Sequence, residues 1–400
     1  MPALRRRRYK PAHARDTRWT HRRLVLVPLS ALLVVVLAGV AALVVVERRL
    51  QGNVQRTSVF AGLDPSSRPS SEPTRALDLL VLGSDTRDGV GGQYQGTGED
   101  LVEGERADTT LLVHIAADRD AAWVVSIPRD SWVALPACPG RDGTRLPARE
   151  GQINSAFEQG GLACTVRAVE RLTGVRIDHT AVVDFSGFKD MVDALDGVPV
   201  CLTEPFEPRK ADVSLPAGRH LLEGPQALEY VRARYVGDGS DLSRIERQKA
   251  FMASMLDKVL SRGILARPDR LVRFLDAATR NLQVDEELDL RQLATSLRRI
   301  DPAAVTLTTV PLDPAPGPEF EAGGRLAGRV AWDPVAAGAL FADLRADRLP
   351  RPAEDAAAPP SAVPSAVPDP SAGAGAVPTP GASAGPVRPP GSSAAEVACR

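Results

Sequence analysis

The sequence predicts an α/β domain: a mixed central β-sheet flanked by helices, with one N-terminal transmembrane helix and a disordered C-terminal tail. Three observations predict it. Short apolar runs alternate with segments of helical period between residues 75 and 349, the mark of a sheet with helices on its faces. Two of those runs, 109–116 and 121–128, are separated only by Ala117-Asp118-Arg119-Asp120. That is a hairpin signal, and it breaks a purely parallel plan. Residues 24–46 form a 23-residue stretch without a charge.

That stretch comes first in the chain. At about 1.5 Å per residue it spans about 34 Å, enough for a hydrocarbon core of roughly 30 Å. It is apolar all round, unlike a helix of a soluble core. Arg5, Arg6, Arg7, Arg8, Lys10, Arg15, Arg18, Arg22 and Arg23 precede it against one acid, Asp16. A basic run can attract nucleic acid. Directly before a membrane span it reads instead as the positive-inside signal, and no nucleic-acid partner is expected. The run exceeds a typical signal-peptide core, and no small-x-small site directly follows it. The expectation is an uncleaved single-pass anchor in the cell membrane, N-terminus cytoplasmic and the rest outside. The parts are then a basic stub (1–23), the span (24–46), a linker (47–74), a folded domain (75–349) and a Pro/Ala/Ser/Gly-rich tail (350–400) too poor in large apolar residues to bury a core.

Within the domain, 77–82 is a buried strand ending at Gly83, and the hairpin 109–128 adds two more. INSAFEQGG and LACTVRAVERLTGV read as helix, with Val166, Val169 and Leu172 at helical spacing and Gly174 as the stop. HTAVVDF (179–185) is a strand, followed by a helix with Ser186 as cap and Gly197 as exit. VPVCL is a strand, and Gly224-Pro225 opens another helix. A long helix near 241–262 has Phe251, Met255, Leu256 and Val259 to bury. A strand near 305–312 and a helix near 333–346 complete the domain.

The four cysteines form no CxxC, and the five histidines form no HxxxH, so zinc is not expected. Outside the membrane disulfides are permitted. Cys138 and Cys164 flank one loop-and-helix segment and are the preferred pair; the other reading is two buried free thiols.

The chemistry is concentrated in EYVRARYVGDGSDLSRIERQKAF, residues 229–251. If Val231–Tyr235 is extended, Arg232 and Arg234 share a face. On the following helix Arg244, Arg247 and Gln248 share one too. Several guanidinium groups in one place repel unless an anion compensates, and their planar fork suits phosphate oxygens. The plainer reading pairs Arg244 and Arg247 with Glu246 or Asp241 on an exposed face. Other strand ends are charged as well. Asp85 and Arg87 follow the first strand, Arg106 and Asp108 adjoin the second, and Arg129 and Asp130 follow the third. Sheets of this class put their sites at such ends. Asp85 and Asp108 beside arginines suit a magnesium ion that shares ligands with a pyrophosphate. There is no GxSxG elbow and no GxxxxGK[ST] loop, which disfavours serine-hydrolase chemistry and nucleotide binding.

LGSDTRDG, RADTTLLVHI, VVSIPRDSWV, INSAFEQGG, VDFSGFKDMVDALDGVPV and GPQALEYVRARY with DLSRIERQ together resemble the LytR–CpsA–Psr family of cell-wall glycopolymer ligases, across about 75–349. The resemblance implies a phosphotransferase. It would move an anionic glycopolymer from an undecaprenyl-pyrophosphate carrier onto a muramic-acid hydroxyl of peptidoglycan, leaving a phosphodiester. It also implies residue roles. Asp85 and Asp108 resemble the magnesium ligands, and Arg106 and Arg129 the phosphate contacts at the reacting centre, with Asp108 beside them. Arg232 and Arg234 resemble the pyrophosphate clamp, and Arg244 and Gln248 helix-borne contacts. The family often has two glutamines where this chain has Gln248-Lys249, which puts the second in doubt. Rival readings are a non-catalytic polyprenyl-phosphate binder or regulatory membrane protein, a pyrophosphatase, and a wall-anchoring protein.

Overall fold

The computed structural model describes residues 17–70, 75–84, 107–208, 213–233, 241–265 and 267–348. The expected tail, 350–400, lies outside them. The chain divides into two units after Leu50. The first is carried by helix α1, Thr17–Asn53, whose portion from Pro28 is long and apolar enough to cross a membrane, with a mean hydropathy of 3.0. Its leucines and valines, Leu32, Val35 and Leu43 among them, are exposed, as a span surrounded by lipid requires.

The second unit is built on a seven-stranded mixed sheet. Its strands are β1 (Gln55–Thr57), β2 (Leu77–Ser84), β3 (Ala107–Ile115), β4 (Ala122–Ile127), β9 (His179–Asp184), β12 (Leu282–Asp285) and β13 (Val305–Thr309). Between β4 and β9 lie the short strands β5 (Trp132–Leu135), β6 (Cys138–Pro139), β7 (Arg145–Leu146) and β8 (Arg149–Gln152), then helix α2 (Asn154–Thr173). After β9 come α3 (Phe185–Ala194), the antiparallel pair β10 (Val198–Leu202) and β11 (Gly218–Leu222), α4 (Gly224–Arg232), α5 (Asp241–Leu260), α6 (Arg262–Leu265) and α7 (Pro268–Arg280). Helix α8 (Leu290–Leu297) precedes β13, and α9 (Pro334–Arg345) closes the unit.

Across the sheet the order is β1-β12-β9-β2-β3-β4-β13. β2 runs parallel to β9 and antiparallel to β3; β3 is antiparallel to β4, and β4 is parallel to β13. The ends of β2, β9, β4 and β13 and the start of β3 therefore meet at one pole. Register fixes it: Ser84 faces Ala107 on one side and Asp184 on the other, and Ile127 faces Thr110.

Alternation along the strands divides the core. One face puts Leu80, Leu112, Val125 and Ile127 against Val166 and Val169 of α2 and Phe341 and Leu344 of α9. The other puts Leu79, Ile115 and Val305 against Met252 and Leu256 of α5. A separate cluster joins Val192, Leu195, Leu222, Tyr230 and Phe251. Burying one such side chain stabilises by roughly 1.5–3 kcal/mol.

Several elements differ from expectation. Part of the expected linker is packed: β1 pairs with β12, and Val59 and Leu63 are buried in the main core. The cap of α3 is Asp184, whose carboxylate accepts from the Gly187 N–H at 2.7 Å; Ser186 is already inside the helix. An ionised side chain at the N-cap satisfies the first-turn donors and meets the helix dipole. Gly161, at φ 64°, kinks α2, a conformation that glycine adopts freely. The last strand stops at Thr309. Val231 and Arg232 are helical rather than extended, because α4 continues through Arg232 and leaves at Ala233; Arg234 and Tyr235, the rest of the expected 231–235 segment, lie outside the described residues. Cys138 and Cys164 form a disulfide, with a Cα–Cα distance of 5.5 Å.

Candidate functional site

Asp108 lies one residue inside β3 and Arg129 two residues past β4, so the β3–β4 register brings them together. Arg129 Nη1 donates to Asp108 Oδ1 at 2.7 Å, and its Nε donates to Asp130 Oδ2 at 3.4 Å. One guanidinium plane thus spans two carboxylates, a geometry a lysine cannot reproduce.

The Pro128–Trp132 turn that carries Arg129 is pinned from both sides. The Asn154 N–H donates to the Arg129 carbonyl and the Ile153 N–H to that of Ser131. The Trp132 N–H donates to Val330, and the Val330 N–H to Asp130. Gln152 Nε2 donates to Asp130 Oδ1 at 2.6 Å, and Arg329 Nη1 stands 3.8 Å from the same oxygen. Sequence reasoning missed Gln152 and Arg329. Nothing local in the sequence marks either, since both reach Asp130 through the fold.

Arg232 ends α4, where a cation suits the helix dipole. It is exposed, and its guanidinium lies 4.3 Å above the Phe185 ring. Phe185 directly follows Asp184, across the sheet from Ser84, so Arg232 stands at the same pole as Asp108. Arg244, in the first turn of α5, is buried and engaged within the structure. It is thus not on an exposed face, as the plainer reading had it. Arg247 donates to the Ala233 carbonyl and Gln248 Nε2 to that of Val231, at 3.0 Å. These two satisfy carbonyls that the end of α4 leaves open. Gln248 therefore ties α5 to α4, and a second amide N–H remains for a ligand. Lys249 pairs with Glu246. Gln248 and Lys249 also line a small cleft with Thr109, Leu111, Val124, Ser126, Met252, Leu307 and Thr308, between α5 and the sheet.

Asp85, Arg87, Arg106 and Arg234 lie outside the described residues. Of the expected set, Asp108, Arg129 and Arg232 stand at one pole, Gln248 ties α5 to the end of α4 beside it, and Arg244 lies one helical turn before Gln248. Among the described residues no group of three or more acids, histidines or cysteines has metal-binding geometry.

A mixed sheet with helices on both faces and arginines at the strand ends of one pole defines an α/β protein. The LytR_cpsA_psr family model matches residues 47–324, and the chain belongs to that family. It is 34% identical over 260 residues to the cell wall biosynthesis protein LcpA of Corynebacterium glutamicum, covering 59% of this chain and 50% of LcpA. The chain thus spans about half the length of that relative. It is 29% identical over 247 residues to the polyisoprenyl-teichoic acid–peptidoglycan teichoic acid transferase TagT of Bacillus subtilis, covering 60% of this chain and 70% of TagT. The fold matches a LytR-Csp2A-Psr enzyme from Actinomyces oris, with TM-score 0.54, 22% identity, and 73% of this chain and 95% of that one covered.

Proposed function

We propose that this chain is a magnesium-dependent phosphotransferase. It moves an anionic glycopolymer from an undecaprenyl-pyrophosphate carrier onto a muramic-acid hydroxyl of peptidoglycan, forming a phosphodiester. The observation that carries the reading is the Arg129–Asp108 pair at the sheet pole where Arg232 also stands. The kinship with TagT, named for the transfer of teichoic acid to peptidoglycan, supports it. An N-terminal helix able to cross a membrane suits a lipid-linked substrate, with the N-terminus inside and the site outside.

The acceptor hydroxyl oxygen forms a bond to the phosphorus next to the glycan and loses its proton, which can pass to the leaving phosphate or to water. The bridging P–O bond breaks, and polyprenyl monophosphate leaves. Charge develops on the leaving oxygens. Fixed guanidinium groups stabilise it without reorganising, which is the dominant device in phosphoryl transfer. Arg129 is held in plane by two carboxylates, and Arg244 is set by burial.

Asp108 fits a hard cation. Its Oδ1 accepts from Arg129, and an ionised carboxylate keeps further lone pairs. Magnesium takes one or two carboxylates plus waters and phosphate oxygens, so Asp108 and Asp85 would hold it. Bound there, it would neutralise pyrophosphate oxygens.

The test gives the full-length chain in detergent a synthetic polyprenyl-pyrophosphate glycan, peptidoglycan oligomer and magnesium, and looks for the phosphodiester product by mass spectrometry. Product that disappears with EDTA and in Asp108→Ala is expected. Lipid binding without product would replace the transferase reading with a carrier-binding one.

A further inference from the structure

Among the described residues nothing gives Phe185 a place in the core. It is the first residue of α3, fixed there by the Asp184 cap. It is half-buried, yet it belongs to none of the five apolar clusters, whereas Phe188, three residues on, packs with Tyr230 and Phe251. Its ring lies under the Arg232 guanidinium at 4.3 Å. Among the described residues this is the one directed contact of the Arg232 side chain. Arg129 is held by two carboxylates, and Arg247, whose guanidinium lies 5.9 Å from the Phe206 ring, also donates to a backbone carbonyl; Arg232 has the ring contact without such an anchor among the described residues.

We propose that Phe185 is a positioning residue for anion binding, a platform that orients the Arg232 guanidinium toward the pole without using its N–H donors. A carboxylate partner would occupy the same edge that a phosphate needs. A ring instead attracts the cation through its face, and all five N–H groups stay in the outward plane. An exposed arginine otherwise loses rotamer freedom when it captures an anion. A platform that limits this freedom beforehand lowers the loss on binding. The inference rests on the reading of the pole as a pyrophosphate site.

The experiment is a double-mutant cycle on the full-length chain in detergent, with inorganic pyrophosphate and magnesium titrated by calorimetry. Phe185→Leu is expected to weaken binding roughly two- to fivefold, the span of an exposed cation–π contact. Phe185→Tyr and Phe185→Trp are expected to retain it. In an Arg232→Ala background, Phe185→Leu should add nothing. An equal loss in both backgrounds, or unchanged binding in Phe185→Leu, overturns the platform. Should Arg232→Ala itself bind as tightly as the parent chain, the pyrophosphate reading of this pole fails, and the platform with it. Should Phe185→Leu not fold, the Tyr and Trp variants carry the test: weak binding in both overturns the platform.

Discussion

Arg129 joins the start of β3 to the end of β4 by donating to Asp108 Oδ1 at 2.7 Å while its Nε reaches Asp130. Arg129→Lys preserves the charge but can reach only one of these carboxylates. A charge-assisted hydrogen bond contributes about 1.5–3 kcal/mol. Turnover should therefore fall at least about tenfold, with the circular dichroism spectrum unchanged. A lysine variant with full turnover would show that charge alone is required.

Arg244 and Arg232 should separate by stability. Arg244 is 7% exposed, whereas Arg232 is exposed. Losing a buried hydrogen-bonded charged side chain costs about 1.5–3 kcal/mol, while surface changes stay within about 0.5 kcal/mol. Urea unfolding should thus show a large loss for Arg244→Ala and almost none for Arg232→Ala. Equal losses would remove the distinction.

The Cys138–Cys164 bridge closes a loop of 26 residues. By the chain-entropy relation this restricts the unfolded state by about 3.5 kcal/mol. Unfolding of Cys138→Ser/Cys164→Ser should show a loss of that order. The bridge clamps β6 to α2, and α2 begins at the loop that holds the Arg129 carbonyl, so some turnover should be lost too.

At the opposite pole, His114 is buried between Asp78 Oδ1, at 2.8 Å, and Asp347 Oδ1, at 3.1 Å. Burial alone lowers its pKa, but the two carboxylates together outweigh burial and raise it. Burial raises Asp78 as well, against the pull of His114. A raised histidine contributes stability that is whole below its unfolded value of about 6.5 and lost as pH rises through the folded one. Asp78 acts in the same direction from lower pH. Stability measured by urea unfolding should therefore fall as pH rises above the unfolded histidine value of about 6.5. His114→Asn should flatten that decline. A stability that rises across this window would reverse the assignment.

The poles were legible to different degrees. Asp108 and Arg129 could be placed from sequence because strand ends and a hairpin fix which residues meet. Arg232 was expected in an extended segment: the alternation of VRARY imitates a strand, while the preceding Gly-Pro start drives α4 as far as Arg232. Phe185 had a signal, an aromatic residue at a strand end of the same pole. Arg329 had none, because a loop reaching Asp130 across two hundred residues leaves no period behind. The buried Val59 and Leu63 were hidden by the Ser and Pro around them, and the short β1 and β12 form only by pairing with each other.

Strand β1 starts at Gln55 at the pole of Asp108, and Asp347 is fixed at the other, where its carboxylate accepts from His114 and the Ala117 N–H. Eight residues of β2 separate the poles, about 26 Å at the rise of a strand. A fluorophore, affinity handle or surface linker attached after Arg348 therefore starts well away from the arginines and leaves their approach unobstructed. Trimming the chain before Leu344 is different in kind, since it takes Phe341 and Leu344 out of the main core. The useful place to cut or attach lies within a few residues.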